Sequence, residues 1–112
     1  MRLKTIHADD SIHHVELLGR LDIDGVNDIQ YEFLQETTVP PKPTVVDLSQ
    51  VNYIASMGIS MLVSAAKHLE KRGVKMVLVN PAPLVRKTLE TSCLHQLIPI
   101  ASDKTAALQL LR

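Results

Sequence analysis

Ser56 lies in the part of the chain whose residue types and spacing best suggest chemistry. It follows an apolar, β-branched run, Thr44–Leu48, and directly precedes the helical periodicity that runs from about Met57 to Arg72. A serine in that place can accept hydrogen bonds from the unsatisfied first amides of the helix. Gly58, two residues further on, leaves the first turn bare, so we expect the Ser56 hydroxyl to be open to a visiting protein or kinase.

Phosphorylation of Ser56 would change the surface and leave the fold intact. A phosphate adds about −1.5 to −2 charges near pH 7, and a helix N-terminus stabilises anions. Without it, Met57 and Ile59 would form a small apolar contact patch. Desolvating a dianion against a partner without a matching cation is costly, so binding would be switched off. The alternative is an ordinary serine cap with no regulatory role, and the residues alone leave both possibilities open.

A hydrolase is a further possibility, because Ser56-Met57-Gly58 resembles half of a nucleophile elbow. The position that such an elbow fills with glycine is Ile54, and no histidine follows in a recognisable motif. The chain is also short for a pocket with its own acid and base. We therefore expect a protein that is not an enzyme, with no catalytic residues and no cofactor of its own.

The histidines and the single cysteine match no standard metal-ligand set. We expect no metal site, and Cys93 should be a small buried residue. One cysteine cannot form an internal disulfide, which fits a reducing cytoplasm. The five histidines are predicted to be scattered surface or strand residues: His7, His13, His14, His68 and His95.

Length and composition predict a single domain over residues 1–112 with one aliphatic core. Apolar residues make up 46% of the chain, but only three residues are aromatic, which is too few for a base-stacking surface. Twelve basic and twelve acidic residues give no net charge, so nucleic acid and anionic lipid are disfavoured as partners. No apolar run approaches the length of a membrane span. We expect a cytoplasmic protein without direct membrane contact, and a monomer.

Periodicity and turn residues predict an α/β fold in the order ββαβαβαβα, with a largely parallel sheet and an antiparallel opening hairpin that turns through Ala8–Ser11. Sites in such sheets gather at the carboxyl ends of the parallel strands. The predicted strands are Leu3–Ile6, Ile12–Leu18, Thr44–Leu48, Val74–Val79 and Leu97–Ile100. The predicted helices are Gly25–Glu36, Met57–Arg72, the segment from Asn80-Pro81 to Thr91 with Leu84, Val85 and Leu89 inward, and Asp103–Leu111.

Three stretches together resemble the STAS family, particularly bacterial anti-sigma-factor antagonists. GRLD at Gly19–Asp22 is similar to the family's G-x-L-D segment, and Val45–Leu62 is similar to its central strand, turn and helix. The stretch Lys75–Ile100 is similar to the strand, helix and turn that follow. The resemblance covers nearly the whole chain and implies a STAS-like fold with about four helices.

This resemblance implies a module that binds a serine-kinase anti-sigma factor when unphosphorylated and so frees the sigma factor. The kinase would use its own ATP and magnesium to phosphorylate Ser56, and a serine phosphatase would reset the switch. Partner-facing residues implied by motif position are Asp22, Ala55, Met57, Gly58 and Ile59. For Asp22 an equal alternative is a cap on the helix that begins near Gly25.

The chain departs from the family pattern at three places. Many members have Asp before the acceptor serine and often a second serine after it, where this chain has Ala55 and Met57. Cys93 stands where glycine is common, which predicts a helix end that manages without glycine's backbone freedom. An alternative role within the family is a subunit of a lipid-transport ABC system or a stressosome scaffold component, docking through the same face without a phosphate cycle.

Overall fold

The computed structural model describes residues 1–6 and 10–111. Within these residues, five β-strands and four α-helices follow one another in the predicted order. The strands are β1 Arg2–Thr5, β2 His13–Leu21, β3 Thr44–Ile54, β4 Met76–Val79 and β5 Ile100–Ala101. The helices are α1 Ile23–Thr38, α2 Ser56–Glu70, α3 Pro83–Thr91 and α4 Lys104–Leu110, and a 3₁₀ turn spans Leu94–Gln96.

The strands form one sheet in the order β1-β2-β3-β4-β5. The β1–β2 pair is antiparallel, and each later pair of neighbours is parallel. The predicted α/β class, the largely parallel sheet and the opening hairpin are therefore confirmed. His7 and the first half of the predicted hairpin turn, Ala8 and Asp9, lie outside the described residues.

Strands β2 and β3 are longer than predicted, and this extension determines the shape of the site. We expected β2 to end at Leu18 and β3 at Leu48, but pairing continues to Leu21 and Ile54. In this part of β3 every third residue is buried, namely Leu48, Val51 and Ile54, and two register shifts against β2 interrupt the two-residue alternation of a regular strand. The segment predicted to be a loop is therefore the second half of a strand.

Other expectations about the C-terminal half are also wrong in detail. Leu84, predicted to face inward, is 76% exposed, whereas Val85 and Leu89 are buried as expected. Cys93 is exposed, and its backbone is left-handed at φ 63°, so this position adopts the very conformation that favours glycine. The last predicted strand, Leu97–Ile100, is replaced by the shorter strand Ile100–Ala101, and Leu97 instead ends the 3₁₀ turn.

The buried side chains of the described residues form two core clusters. The larger cluster packs α1, α2 and α3 with the sheet, and Phe33 of α1 is among its largest fully buried side chains. The smaller cluster packs α4, through Ala107, with residues of β3, β4 and β5. Among residues 1–6 and 10–111, no helix combines the length and apolarity that a membrane span requires.

Candidate functional site at the ends of β2 and β3

The parallel strands β2 and β3 end side by side, and their ends assemble the candidate site. Leu21 and Ile54 are paired residues, and the Ala55 amide donates a hydrogen bond of 3.0 Å to the Leu21 carbonyl. Asp22 and Ser56, which are distant in sequence, therefore begin two neighbouring helices. The structure thus brings together two of the segments in which the sequence predicted site residues.

Ser56 does not cap α2, and the prediction that it does is wrong. It is the first helical residue, whereas the cap position belongs to Ala55, whose backbone is extended at φ −109° and ψ 175°. Ala55 has its amide tied to Leu21 and carries a methyl group where a capping oxygen would be. The Ser56 side chain is exposed, so the first turn of α2 receives no cap from either residue.

Gly58 serves close packing rather than access to the serine. It is buried, and a Cβ atom added there would lie 2.7 Å from Leu21 Cγ and 2.8 Å from the Leu21 carbonyl oxygen. The missing side chain thus lets α2 approach the end of β2. Of its neighbours, Met57 is 41% exposed and Ile59 is partly buried against the core. Met57 is therefore the apolar side chain that most clearly faces outward beside Ser56.

Asp22 caps α1, which confirms the capping alternative considered from the sequence. Its carboxylate accepts a hydrogen bond of 2.9 Å from the Gly25 amide and one of 3.2 Å from Arg20 Nε. The pKa of the Asp22 carboxyl lies below its ordinary value. The hydrogen bond from the Gly25 amide is the main cause, and the hydrogen bond from Arg20 is the second. A contact between Asp22 and a partner stays a prediction.

Arg20 and Tyr53 belong to the same surface and were missed by sequence reasoning. They are paired across β2 and β3, and the Arg20 guanidinium lies 4.4 Å from the centre of the Tyr53 ring. Both residues had been assigned to loops, so no periodicity could place them together. Tyr53 is 44% exposed and, like Met57, is an exposed large hydrophobic residue near the end of β3.

A cleft of about 530 Å³ opens beside Ser56, between the end of β3, the start of α2 and helix α3. Helix α3 contributes Lys87 and Thr91 to its wall, and Ser92, which follows the helix, also lines it. A second cavity of about 260 Å³ also includes Tyr53 and Lys87 in its lining and reaches exposed Leu84. The sequence placed α3 correctly but gave no signal that it would face Ser56, because that contact depends on the tertiary arrangement.

The side chains described at this surface are one hydroxyl, one methionine, two cations and one carboxylate: Ser56, Met57, Arg20, Lys87 and Asp22. Within the described part of the chain, no group of three or more His, Cys, Asp and Glu side chains is placed to hold a metal ion. The arrangement provides an exposed hydroxyl at a helix start, with apolar and charged side chains around it. Such a surface suits modification and protein binding.

The chain belongs to the STAS family, whose domain model matches residues 4–107. A STAS-domain containing protein of Pseudomonas aeruginosa is 29% identical over 94 residues, which cover 84% of this chain and 92% of that protein. BtrV of Bordetella bronchiseptica, named as an anti-sigma factor antagonist, is 26% identical over 91 residues, covering 81% of this chain and 78% of BtrV.

Solved structures share the fold at low sequence identity. A Thermotoga maritima protein described as an anti-sigma factor antagonist superposes with a TM-score of 0.84 at 20% identity, covering 99% of this chain and 93% of that one. The unphosphorylated form of the antagonist SpoIIAA gives 0.79 at 19% identity, covering 97% and 96%. A domain of the murine anion transporter Slc26a9 gives 0.77 at 18% identity, covering 90% of this chain and 18% of the transporter. These likenesses concern the fold alone.

Proposed function

We propose that this chain is a cytoplasmic anti-sigma-factor antagonist whose binding is switched off by phosphorylation of Ser56. In the unphosphorylated form it binds a serine-kinase anti-sigma factor and so frees the sigma factor. The observation that carries the proposal is an exposed serine at an uncapped helix start, next to exposed Met57. The name of its relative BtrV supports the same class of function.

The phosphate transfer uses ATP and Mg²⁺ bound to the partner kinase. The Ser56 Oγ atom attacks the γ-phosphorus, a new O–P bond forms, and the bond to the β-phosphate oxygen breaks as ADP leaves. The hydroxyl proton passes to a base on the kinase. A serine phosphatase later hydrolyses the phosphoserine with water, which restores the hydroxyl and releases inorganic phosphate.

The phosphate would act on binding and not on folding. Ser56 is exposed and its side chain does not cap α2, so a phosphate there displaces no cap. The first turn of α2 reads Ser-Met-Gly-Ile and holds no acidic residue that would repel a dianion. A partner packed on Met57 would have to desolvate that dianion, and this cost opposes binding.

A phosphorylation assay with matched serine variants tests this function. The purified protein is incubated with ATP, Mg²⁺ and each candidate serine-kinase anti-sigma factor, and the phosphate is located by peptide mass spectrometry. We expect phosphate on the wild type and on Ser60→Ala, a control at an exposed serine one turn further along α2, but not on Ser56→Ala. Phosphate that persists on Ser56→Ala would remove Ser56 from this role.

Titration calorimetry with the same partner tests the switch itself. Ser56→Ala should bind like the wild type, whereas Ser56→Glu should bind at least tenfold more weakly, because the carboxylate must be desolvated. Equal affinity of all three proteins would show that the interface lies elsewhere. Binding without any modification would favour the alternative role of an ABC-system or scaffold subunit.

A further inference from the structure

We propose that Lys87 captures the phosphate on Ser56, so that an ion pair across the cleft holds the phosphorylated form within its own chain. This inference rests on the proposed modification of Ser56 and adds a specific second residue to the switch. Lys87 would act as a positioning residue. It sets where the phosphate lies and how much of its charge a partner meets.

The two residues line one cleft from two different helices. Ser56 belongs to the start of α2, Lys87 belongs to the middle of α3, and both line the same cleft of about 530 Å³. Lys87 and Tyr53 also line the adjoining cavity, so the lysine lies between the cleft and that cavity. Its flexible four-carbon stem can sweep its ammonium group across such a space.

The charges of α3 leave Lys87 available for this role. Its neighbour Arg86 points to Glu90, with 3.7 Å between Arg86 Nε and a carboxylate oxygen. Among residues 1–6 and 10–111, none of the ion pairs involves Lys87. The two adjacent cations of α3 therefore differ: one is paired along the helix, and the other faces the cleft that contains Ser56.

The remaining cleft wall would favour a dianion. Lys87 is the only charged side chain among the described residues that line the cleft, so no carboxylate competes for the ammonium group there. Thr91 also lines this wall, where its hydroxyl can donate to a phosphate oxygen, whereas the Ser92 hydroxyl already donates to the Leu89 carbonyl. The unphosphorylated cleft thus has one positive charge and no counterion, and a phosphate on Ser56 would supply the counterion.

An ion pair of this kind changes the properties of the switch. The ammonium group stabilises the dianionic form of the phosphate, so it should lower the second pKa of phosphoserine from its ordinary value of about 6. It also draws the phosphate toward α3 and fills the mouth of the cleft. A partner that binds near Met57 then meets both a charge and an altered surface shape.

Phosphorus NMR of protein that carries phosphoserine at position 56, installed during translation, tests the pair directly. The second pKa is read from the chemical shift as the pH is changed. We expect Lys87→Gln to raise this pKa by about one unit relative to wild type, and Lys87→Arg to keep it low. Arg86→Gln, which removes an equal charge from the neighbouring position, should leave it within about 0.2 units because that cation is turned toward Glu90.

Equal pKa values in the wild type and Lys87→Gln, or an equal rise in Arg86→Gln, would overturn the proposal. Lys87 is exposed, so its replacement should not prevent folding, and circular dichroism checks this. The phosphoserine is installed without a kinase. The titration therefore tests Lys87 even if no kinase modifies Ser56, and a failed titration would leave a positive kinase assay standing.

Discussion

The starts of α1 and α2 are built alike in backbone and unlike in charge. Each helix follows directly on a strand end, and the two ends are joined through the Leu21–Ile54 pair. Each has a buried glycine as its third residue, packed against the end of β2. The same space restriction thus shapes both helix starts.

Their capping chemistry differs. Asp22 caps α1, and Asp24 adds a second negative charge to its first turn, whereas α2 begins after Ala55 and has no acidic residue in its first turn. One helix start already has its anion. The other presents free amides beside an exposed serine, and it is there that an added phosphate can be stabilised without displacing an existing group.

The largest expected effects come from filling the two glycine positions. A Cβ at Gly25 would lie 2.0 Å from the Arg20 carbonyl oxygen, and one at Gly58 would lie 2.8 Å from the Leu21 carbonyl oxygen. Both clashes involve backbone, which cannot move aside cheaply. We expect Gly25→Ala to reduce the free energy of unfolding by about 3 kcal/mol and Gly58→Ala by about 2 kcal/mol.

Urea denaturation measures both values. Gly73→Ala serves as a comparison, because that glycine has open space around it and only its left-handed backbone, at φ +77°, opposes a side chain. A loss from Gly58→Ala no larger than about 0.5 kcal/mol would show that α2 is not held against β2 as described.

Exchanging the cap residues should reverse the difference in N-terminal capping between α1 and α2. Ala55→Asp places a carboxylate at an extended cap position and should raise the free energy of unfolding by about 1 kcal/mol. Asp22→Ala should lower the melting temperature, and Asp22→Asn should largely restore it because an amide oxygen also caps. Unchanged melting of Ala55→Asp would contradict the uncapped start of α2.

Acid should remove part of the contribution that the Asp22 cap makes to the stability of the folded protein. The Gly25 amide and Arg20 hold the pKa of its carboxyl below the ordinary value of 3.8. The stabilisation is therefore complete above that value and is lost as the pH falls through the lower pKa of the folded state. Melting curves of wild type and Asp22→Ala should converge over this range.

The smallest expected effect on stability is that of Ser56→Ala. A serine that capped α2 would contribute about 1 kcal/mol, but Ser56 is the first helical residue and exposed. We therefore expect a change within about 0.5 kcal/mol, measured by the same denaturation experiment. A larger loss would mean that the serine supports the helix start after all.

The sequence predicted the order of elements because its signals there are local. Helical periodicity identified α1 and α2, and the last predicted helix, Asp103–Leu111, matches α4 to within one residue at each end. The ends of β2 and β3 were missed because polar residues in a half-buried strand look like a loop until the neighbouring strand is known.

The candidate site was predictable only in part for the same reason. Ser56 and Asp22 could be found because each stands in a recognisable motif next to a predicted element. Arg20, Tyr53 and Lys87 meet that site through pairing and packing between distant segments. The wrong assignment of Ser56 as the cap came from a shift of one residue, which depends on where the backbone leaves β3.

The hydrogen bond from the Ala55 amide to the Leu21 carbonyl has a consequence for recognition. It fastens the residue before Ser56 to a strand that lies more than thirty positions away in sequence. A kinase acting on Ser56 would read a conformational epitope whose parts are scattered along the chain. A linear peptide that spans residues 50–62 contains the serine but no part of β2 or α3. The sequence of the peptide alone therefore does not reproduce the substrate.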